Sequence, residues 1–166
     1  MKVVLNAAPL IYLTKIGKLL LLKKLFGRII IPQEVFNEVV IKGKEEGFSG
    51  TLITEEEIEK GWIAIKKVRM DMRLLRFAPE LDKGEIEVIT LARKIRPELV
   101  IIDDACGRSI AESAGLNVKG TIYVLLKAYK NKLLSEEEII ELVDKLILAG
   151  FRIAPELYVN ILKEIK

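Results

Sequence analysis

The chain has 166 residues, of which 51% are hydrophobic and 31% charged, and its formal net charge is +3. The apolar content excludes intrinsic disorder, the single cysteine excludes a disulfide scaffold, and the absence of histidine excludes Ser-His-Asp catalysis, Cys-His catalysis and imidazole-bound metals. A small positive charge does not by itself indicate a nucleic-acid partner. The abundance of Lys, Glu and Ile is typical of proteins from hot environments.

Apolar runs and helical periodicity alternate along the first half of the chain. The predicted elements are a strand over 2–5, helices over 7–16 and 18–26, a strand over 28–31, a helix over 33–41, a charged loop over 42–50, a helix beginning near Glu55 and an edge strand over 62–68. The helix near Glu55 is predicted because residues 54–57 have the sequence of a capping box. Residues 69–77 are basic and weakly patterned.

The second half of the chain repeats this alternation. The predicted elements are a helix over 82–95 with Asp82 as N-cap, a strongly apolar strand over 99–102, a helix over 105–114, a short strand over 117–120, and helices over 121–132, 135–149 and from Pro155 onward. Fully apolar strands that alternate with helices predict a mostly parallel sheet with helices on both faces, a three-layer α/β/α domain over residues 1–166.

The N-terminal sequence MKVVLNAAPLIYL faintly resembles a signal peptide, but Asn6 and Pro9 interrupt its apolar run and no clear cleavage site follows. A buried first strand explains these residues better. No apolar run approaches the roughly 20 residues that a bilayer requires. We therefore expect a cytoplasmic protein with a reduced thiol and no membrane association.

Polar residues fall where the predicted strands end. Asn6 follows the first strand, Asp103 and Asp104 follow the strand over 99–102, and Glu38 and Glu85 lie in helices next to strands. Ligands of such sheets bind beyond the carboxyl ends of the strands, so we expect these five side chains to converge there.

Each acidic residue also has a purely structural interpretation. Glu85 would interact favourably with the dipole at the start of its helix, and Glu38 would be a solvated helix residue. Helix capping explains one member of the Asp103–Asp104 pair, and Arg108 is spaced to pair with Asp104. Two adjacent carboxylates nevertheless repel unless a cation compensates them. A carboxylate cluster without histidine favours a hard cation such as Mg²⁺ or Mn²⁺, which can activate water for attack on a phosphodiester.

Five segments, taken in order, resemble the PIN domain family. They are LNAAPLIYLTKIG, IIIPQEVFNEVV, LDKGEIEVITLA, VIIDDACGRSIAESAGLNVKGT and AGFRIAPELYVNIL. The resemblance is closest to a prokaryotic branch of predicted nucleic-acid-binding PIN proteins related to VapC-type toxins. It implies a parallel sheet between helices and a ribonuclease dependent on Mg²⁺ or Mn²⁺.

The resemblance also implies a set of functional residues. The family's second, third and fourth acids match Glu38, Glu85 and Asp104, which would be catalytic residues and metal ligands, with Asp103 as a further ligand. The first acid of the family falls on Asn6, which can ligate a metal through its amide oxygen but carries no charge. Ala7 replaces the hydroxyl residue that usually follows, and Ile102 replaces the one often found near the last acid.

Other segments have open alternatives. The basic stretch 66–76 is either a solvated surface or a contact for a phosphate backbone. Trp62 and Tyr123 either pack in the core or stack on bases. Cys106 lies at a helix start, where a thiolate is favoured, but without histidine an inert thiol is the simpler interpretation.

Three functions are consistent with these features. The first is a metal-dependent ribonuclease, weakened by Asn6, with RNA as its substrate. The second is a non-catalytic PIN-fold module that binds RNA or a protein. The third is a toxin, or an inactive toxin relative, whose partner is a small antitoxin. PIN proteins often form homodimers, and the apolar residues 19–22 would lie either at such an interface or in the core.

Overall fold

A five-stranded, entirely parallel sheet forms the centre of the computed structural model, which describes residues 1–166. The strands lie in the order β3-β2-β1-β4-β5. Their bounds are β1 Val3–Leu5, β2 Ile29–Pro32, β3 Ile63–Lys66, β4 Leu99–Ile101 and β5 Val118–Lys119. The sequence therefore predicted all five strands, including the placement of β3 at an edge.

Helices cover both faces of this sheet and produce the predicted three-layer α/β/α architecture. Their bounds are α1 Ala7–Lys15, α2 Leu20–Phe26, α3 Gln33–Phe36, a π-helical segment Asn37–Lys42, α4 Gly43–Glu45, α5 Gly50–Glu59, α6 Met72–Phe77, α7 Lys83–Ile95, α8 Ala105–Ser113, α9 Thr121–Lys130, α10 Glu136–Leu148 and α11 Pro155–Ile165. No helix is both long enough and apolar enough to cross a bilayer.

The strand order creates a switch point between β1 and β4. From β1 the chain moves outward through β2 to β3, then returns to β4 on the other side of β1 and continues to β5. Right-handed connections send the helices of the two halves to opposite faces, which leaves a crevice beyond the carboxyl ends of β1 and β4. The register pairs Leu5 with Ile101, so the residues after both strands emerge at the same level.

The region between β2 and β3 differs from the prediction. Residues 42–50 are largely helical, and α5 begins at Gly50 rather than near Glu55. The capping-box pattern was misleading because its two polar side chains are used elsewhere. The Thr54 hydroxyl bonds the Gly50 carbonyl at 3.3 Å, and the buried Glu57 carboxylate accepts a 2.6 Å hydrogen bond from the indole of Trp62. Trp62 is thus a core residue.

One continuous core of 43 buried apolar residues fixes the sheet between its helices. Leu19, Leu21 and Leu22 belong to it, whereas Leu20 is 48% exposed. The apolar run 19–22 therefore mainly fills the core, with a single side chain reaching the surface.

Candidate functional site

Four elements meet at the crevice beyond β1 and β4. Asn6 follows β1, and its backbone N–H donates a 3.0 Å hydrogen bond to the Ile101 carbonyl of β4. Asp104 follows β4 and caps α8, and the first turn of α7 lies across the crevice. Glu38 comes from the π-helical segment, a rare helix form that occurs frequently at functional sites.

Three oxygen atoms surround Gly84 at the start of α7. A Cβ built on this glycine would lie 3.2 Å from Glu38 Oε2, 3.4 Å from Asp82 Oδ1 and 3.5 Å from Asn6 Oδ1. The glycine thus leaves open a point that side chains of three separate elements face.

Asn6 is the unusual member of this group. Its side chain is only 5% exposed, and its Oδ1 atom is the one buried side-chain polar atom that lacks a hydrogen-bond partner. Burying an unpaired amide oxygen costs roughly 1–3 kcal/mol, so such an atom indicates a position that a ligand would satisfy.

Glu85 connects the Gly84 region to Asp104. One of its carboxylate oxygens accepts the Asp82 backbone N–H at 3.0 Å, while Asp82 in turn accepts the Glu85 N–H at 2.8 Å, which is the predicted helix cap completed as a capping box. The other oxygen, Oε1, lies 3.7 Å from a Cβ built on Gly107, and Asp104 Oδ2 lies 3.6 Å from the same position. We call Glu38, Asp82, Glu85 and Asp104 the acidic cluster.

Burial and the repulsion of neighbouring carboxylates raise the pKa values of two members of the acidic cluster, Glu85 and Glu38. Desolvation, and then the neighbouring charges of Asp82, Asp104 and Glu38, raise the pKa of Glu85 to about 7. Desolvation is also the main cause of the raised pKa of Glu38, with the charge of Asp82 second. A cation beside these groups would relieve both effects.

The donor set consists of oxygen atoms only, which is the chemistry that Mg²⁺ and Mn²⁺ accept in proteins, usually with several waters retained. As the side chains stand, no three acidic or cysteine residues are gathered tightly enough to hold a metal ion by themselves. The residues therefore fit a hard cation by the type of their donor atoms and by the common point that Asn6, Glu38 and Asp82 face.

Asp103 does not join its neighbour. Its two carboxylate oxygens accept hydrogen bonds from the backbone N–H and the hydroxyl of Thr121, at 2.7 and 2.6 Å, and so fix the start of α9. Burial raises its pKa, while the bonds from Thr121 and the charge of Arg108 oppose that shift. Both of its oxygens thus hold α9 in this structure, and a role of Asp103 as a metal ligand stays a prediction.

One expectation is corrected, and one confirmed helix cap gains a further role. Arg108 does not pair with Asp104, since it lies beside Asp103, where its Nη1 is 3.7 Å from a Cβ built on Gly120. Asp82, which the sequence indicated only as an N-cap, joins the acidic cluster. Its position three residues before Glu85, on the same helical turn, was the signal that could have identified it.

Cys106 fits the inert interpretation. Its thiol donates to Glu80 Oε1 at 3.2 Å, and this hydrogen bond, with burial and the nearby acids, raises its pKa to about 11. The acidic surroundings thus outweigh the helix start that would favour a thiolate.

The basic stretch 66–76 forms the end of β3 and most of α6. Asp71, the N-cap of α6, neutralises part of the positive charge of this stretch. Its carboxylate lies 3.7 Å from Arg73 and 3.4 Å from Arg93. The remaining cations, Lys66, Lys67, Arg69 and Arg76, are exposed and form no ion pair.

Comparisons with known proteins agree with this architecture. A family model described as "DUF3368: PIN domain" matches residues 2–166. The fold is similar to that of a PilT N-terminus domain protein from the hyperthermophilic archaeon Sulfolobus solfataricus P2, with a TM-score of 0.50 and 15% identity over 75% of this chain and 90% of that one. No curated protein matches the sequence.

Proposed function

The chain belongs to the PIN domain family, and from that premise we propose that it is a divalent-metal-dependent nuclease that cleaves RNA phosphodiester bonds. PIN domains are generally metal-dependent nucleases that bind nucleic acids. The observation that carries the proposal is the convergence of the acidic cluster and the unpartnered Asn6 Oδ1 at the switch point of the sheet.

Glu38, Glu85 and Asp104 are the proposed catalytic carboxylates and ligands of Mg²⁺ or Mn²⁺. Asn6 Oδ1 would supply a neutral ligand, and Asp82 would add negative charge. Such an ion supplies Lewis acidity, activating water and stabilising charge on a phosphodiester. The chain itself contributes orientation: the capping box holds Glu85 so that only Oε1 is free, and the N-cap bond from the Gly107 N–H holds Asp104 at 2.8 Å.

Asn6 also favours a second candidate, a PIN-fold module that binds RNA without cutting it. An amide at this position removes one of the family's usual negative charges, and the remaining carboxylates are not gathered into a tight ligand set. Under this alternative the acidic cluster would bind metal weakly and the protein would retain RNA. An antitoxin partner, a homodimer and a cytoplasmic location stay predictions.

Metal binding and cleavage can be tested together with a matched pair of variants. Mn²⁺ should raise the melting temperature of the wild-type protein, since it binds the folded state selectively, and should support cleavage of single-stranded RNA. Glu38→Gln should lose both effects. Glu45→Gln removes an exposed carboxylate from the same helical region and should retain both.

A melting temperature that millimolar Mn²⁺ does not change, with no cleavage by any of the three proteins, would contradict the nuclease. RNA binding under those conditions would then support the non-cleaving module.

A further inference from the structure

Asp103, which precedes Asp104 of the acidic cluster, lines a cavity of about 450 Å³. Its volume is within the roughly 300–1,000 Å³ typical of ligand pockets. The walls come from α8, the end of β5, α9, the segment before α11 and α11 itself. Five cations line it, and we call it the basic cavity: Arg108, Lys119, Lys127, Lys130 and Arg152.

The charge of the basic cavity is only partly neutralised from within. It contains two acids, Asp103 and Glu164. Asp103 is engaged by Thr121, and Glu164 pairs with Lys130 at 3.0 Å. Lys119, Lys127 and Arg152 have no carboxylate within ion-pair distance, so the cavity presents net positive charge to an entering ligand.

Tyr123 gives the cavity an aromatic wall between two of these free cations. The Lys119 ammonium lies 5.9 Å and the Lys127 ammonium 5.8 Å from the centre of its half-buried ring. Leu126 and Phe151 add apolar surface to the same space. An aromatic ring flanked by lysines suits a ligand that combines a flat heteroaromatic base with a phosphate.

The basic cavity also lies next to the proposed reaction site. Asp103 lines its edge, and Asp104, the following residue, belongs to the acidic cluster, with consecutive Cα atoms about 3.8 Å apart. The two sites are therefore close enough for one single-stranded RNA to contact both.

We propose that the basic cavity binds one nucleotide unit of a single-stranded RNA, with its base against Tyr123 and its phosphate on Lys119 and Lys127. This inference rests on the proposed function, because it takes the same RNA as the ligand. The same chemistry occurs in a free mononucleotide, and the experiment separates the two sources.

The test measures binding of a fluorescein-labelled, short single-stranded RNA to the full chain in EDTA, so that cleavage does not interfere. Tyr123→Leu should weaken binding about fivefold or more, the lower end of the contribution of base stacking, and Tyr123→Phe should restore it. Lys119→Ala/Lys127→Ala should weaken binding and reduce the slope of log affinity against log salt by about 1.4, since each phosphate contact on a single strand contributes about 0.7.

The double variant Lys24→Ala/Lys94→Ala is the matched control. It removes the same charge from exposed positions outside the cavity and should leave the salt slope within about 0.3 of the wild-type value. The proposal is overturned if the cavity variants bind like the wild type, or if the control loses as much affinity as they do. If a mononucleotide binds as tightly as the RNA and with the same dependence on Tyr123, the occupant of the cavity is a free nucleotide and the proposal of an RNA occupant is refuted.

Failure of this inference is distinguishable from failure of the nuclease. If the wild type cleaves RNA and the cavity variants bind RNA normally, the proposed binding in the cavity is refuted and the proposed nuclease activity stands. If RNA binding depends on the cavity residues but no Mn²⁺-dependent cleavage occurs, the proposed nuclease activity is refuted and the proposed binding in the cavity stands.

Discussion

The acidic cluster and the basic cavity contain consecutive residues, Asp104 and Asp103, yet the two regions have opposite electrostatic character. On the side of Asp104, carboxylates lie close together, two of them have raised pKa values, and the Asn6 Oδ1 atom is buried without a partner. On the side of Asp103, burial also raises the pKa of the carboxyl group, but both of its oxygens accept hydrogen bonds from Thr121 and the excess charge is positive. The first region would gain from a cation and the second from an anion.

Residues that are adjacent in sequence therefore need not belong to the same site. Asp103 and Asp104 follow the same buried strand, but their carboxylates accept hydrogen bonds from different helices, at Thr121 and at Gly107. Asp103 turns to the start of α9 and Asp104 to the start of α8. In this structure the Asp103 carboxylate holds the start of α9, whereas the Asp104 carboxylate lies near Glu85.

The largest expected difference is between substitutions of these two neighbours. Asp104→Asn should reduce RNA cleavage to background, because it removes a charged ligand while asparagine still caps α8 as well as aspartate does. Asp103→Asn should instead lower the free energy of unfolding by roughly 1–3 kcal/mol, the cost of weakening buried hydrogen bonds, and leave cleavage per folded molecule unchanged. Cleavage rates and melting curves measure both.

The opposite pattern would invalidate the division between the two regions. If Asp103→Asn abolished cleavage at full stability, Asp103 would belong to the reaction site despite its bonds to Thr121.

A smaller, opposite effect is expected at Asn6. Asn6→Asp places a negative charge at the point where the family usually has one, and should tighten Mn²⁺ binding about tenfold, comparable with the ~10–100-fold changes caused by altering the surroundings of a metal site. The metal-free protein should melt at a lower temperature, because another buried carboxylate joins the acidic cluster. Titration of Mn²⁺ followed by melting temperature measures both effects.

Asn160→Asp makes the same charge change at an exposed position and should alter neither quantity. An Asn6→Asp protein with unchanged Mn²⁺ affinity would mean that this position does not contact the ion.

Much of the fold could be predicted from the sequence, because the patterns that indicate strands and helix starts are local. The apolar runs of β1, β2 and β4 predicted the central strands of the sheet, and the spacing of Asp82 and Glu85 predicted the start of α7. Since carboxyl ends of parallel strands share one edge, the convergence of Asn6, Glu38, Glu85 and Asp104 on the switch point was also predictable.

The rest depends on tertiary contacts that no local pattern encodes. Thr54 and Glu57 have the spacing of a capping box but bond to Gly50 and Trp62 instead, so α5 starts a turn earlier than predicted. The direction of Asp103 depends on where Thr121 lies after β5 is added to the sheet. The basic cavity was missed for the same reason, since only the packing of α8, β5, α9 and the segment before α11 brings its cations together.

The smallest expected effect is the pH dependence of stability that Glu85 contributes. In EDTA, folded Glu85 keeps its proton up to a pKa of about 7, whereas the unfolded chain releases it near the usual 4.5. Between these values the folded state binds more protons, so the free energy of unfolding should fall as pH rises, by at most about 1.4 kcal/mol per pH unit. Melting temperatures over this range measure the slope.

Glu85→Gln isolates this effect, because glutamine preserves the capping box but cannot titrate. Its stability should fall less steeply than that of the wild type between pH 4.5 and about 7. Glu138→Gln changes the equivalent residue in the exposed capping box of α10 and should keep the wild-type slope. Saturating Mn²⁺ should oppose the fall in the wild type, since the ion binds the deprotonated carboxylate and gains affinity as pH approaches 7. Identical slopes for wild type and Glu85→Gln would show that Glu85 is solvated like an ordinary surface acid, and the electrostatic contrast across the Asp103–Asp104 bond would then rest on Glu38 alone.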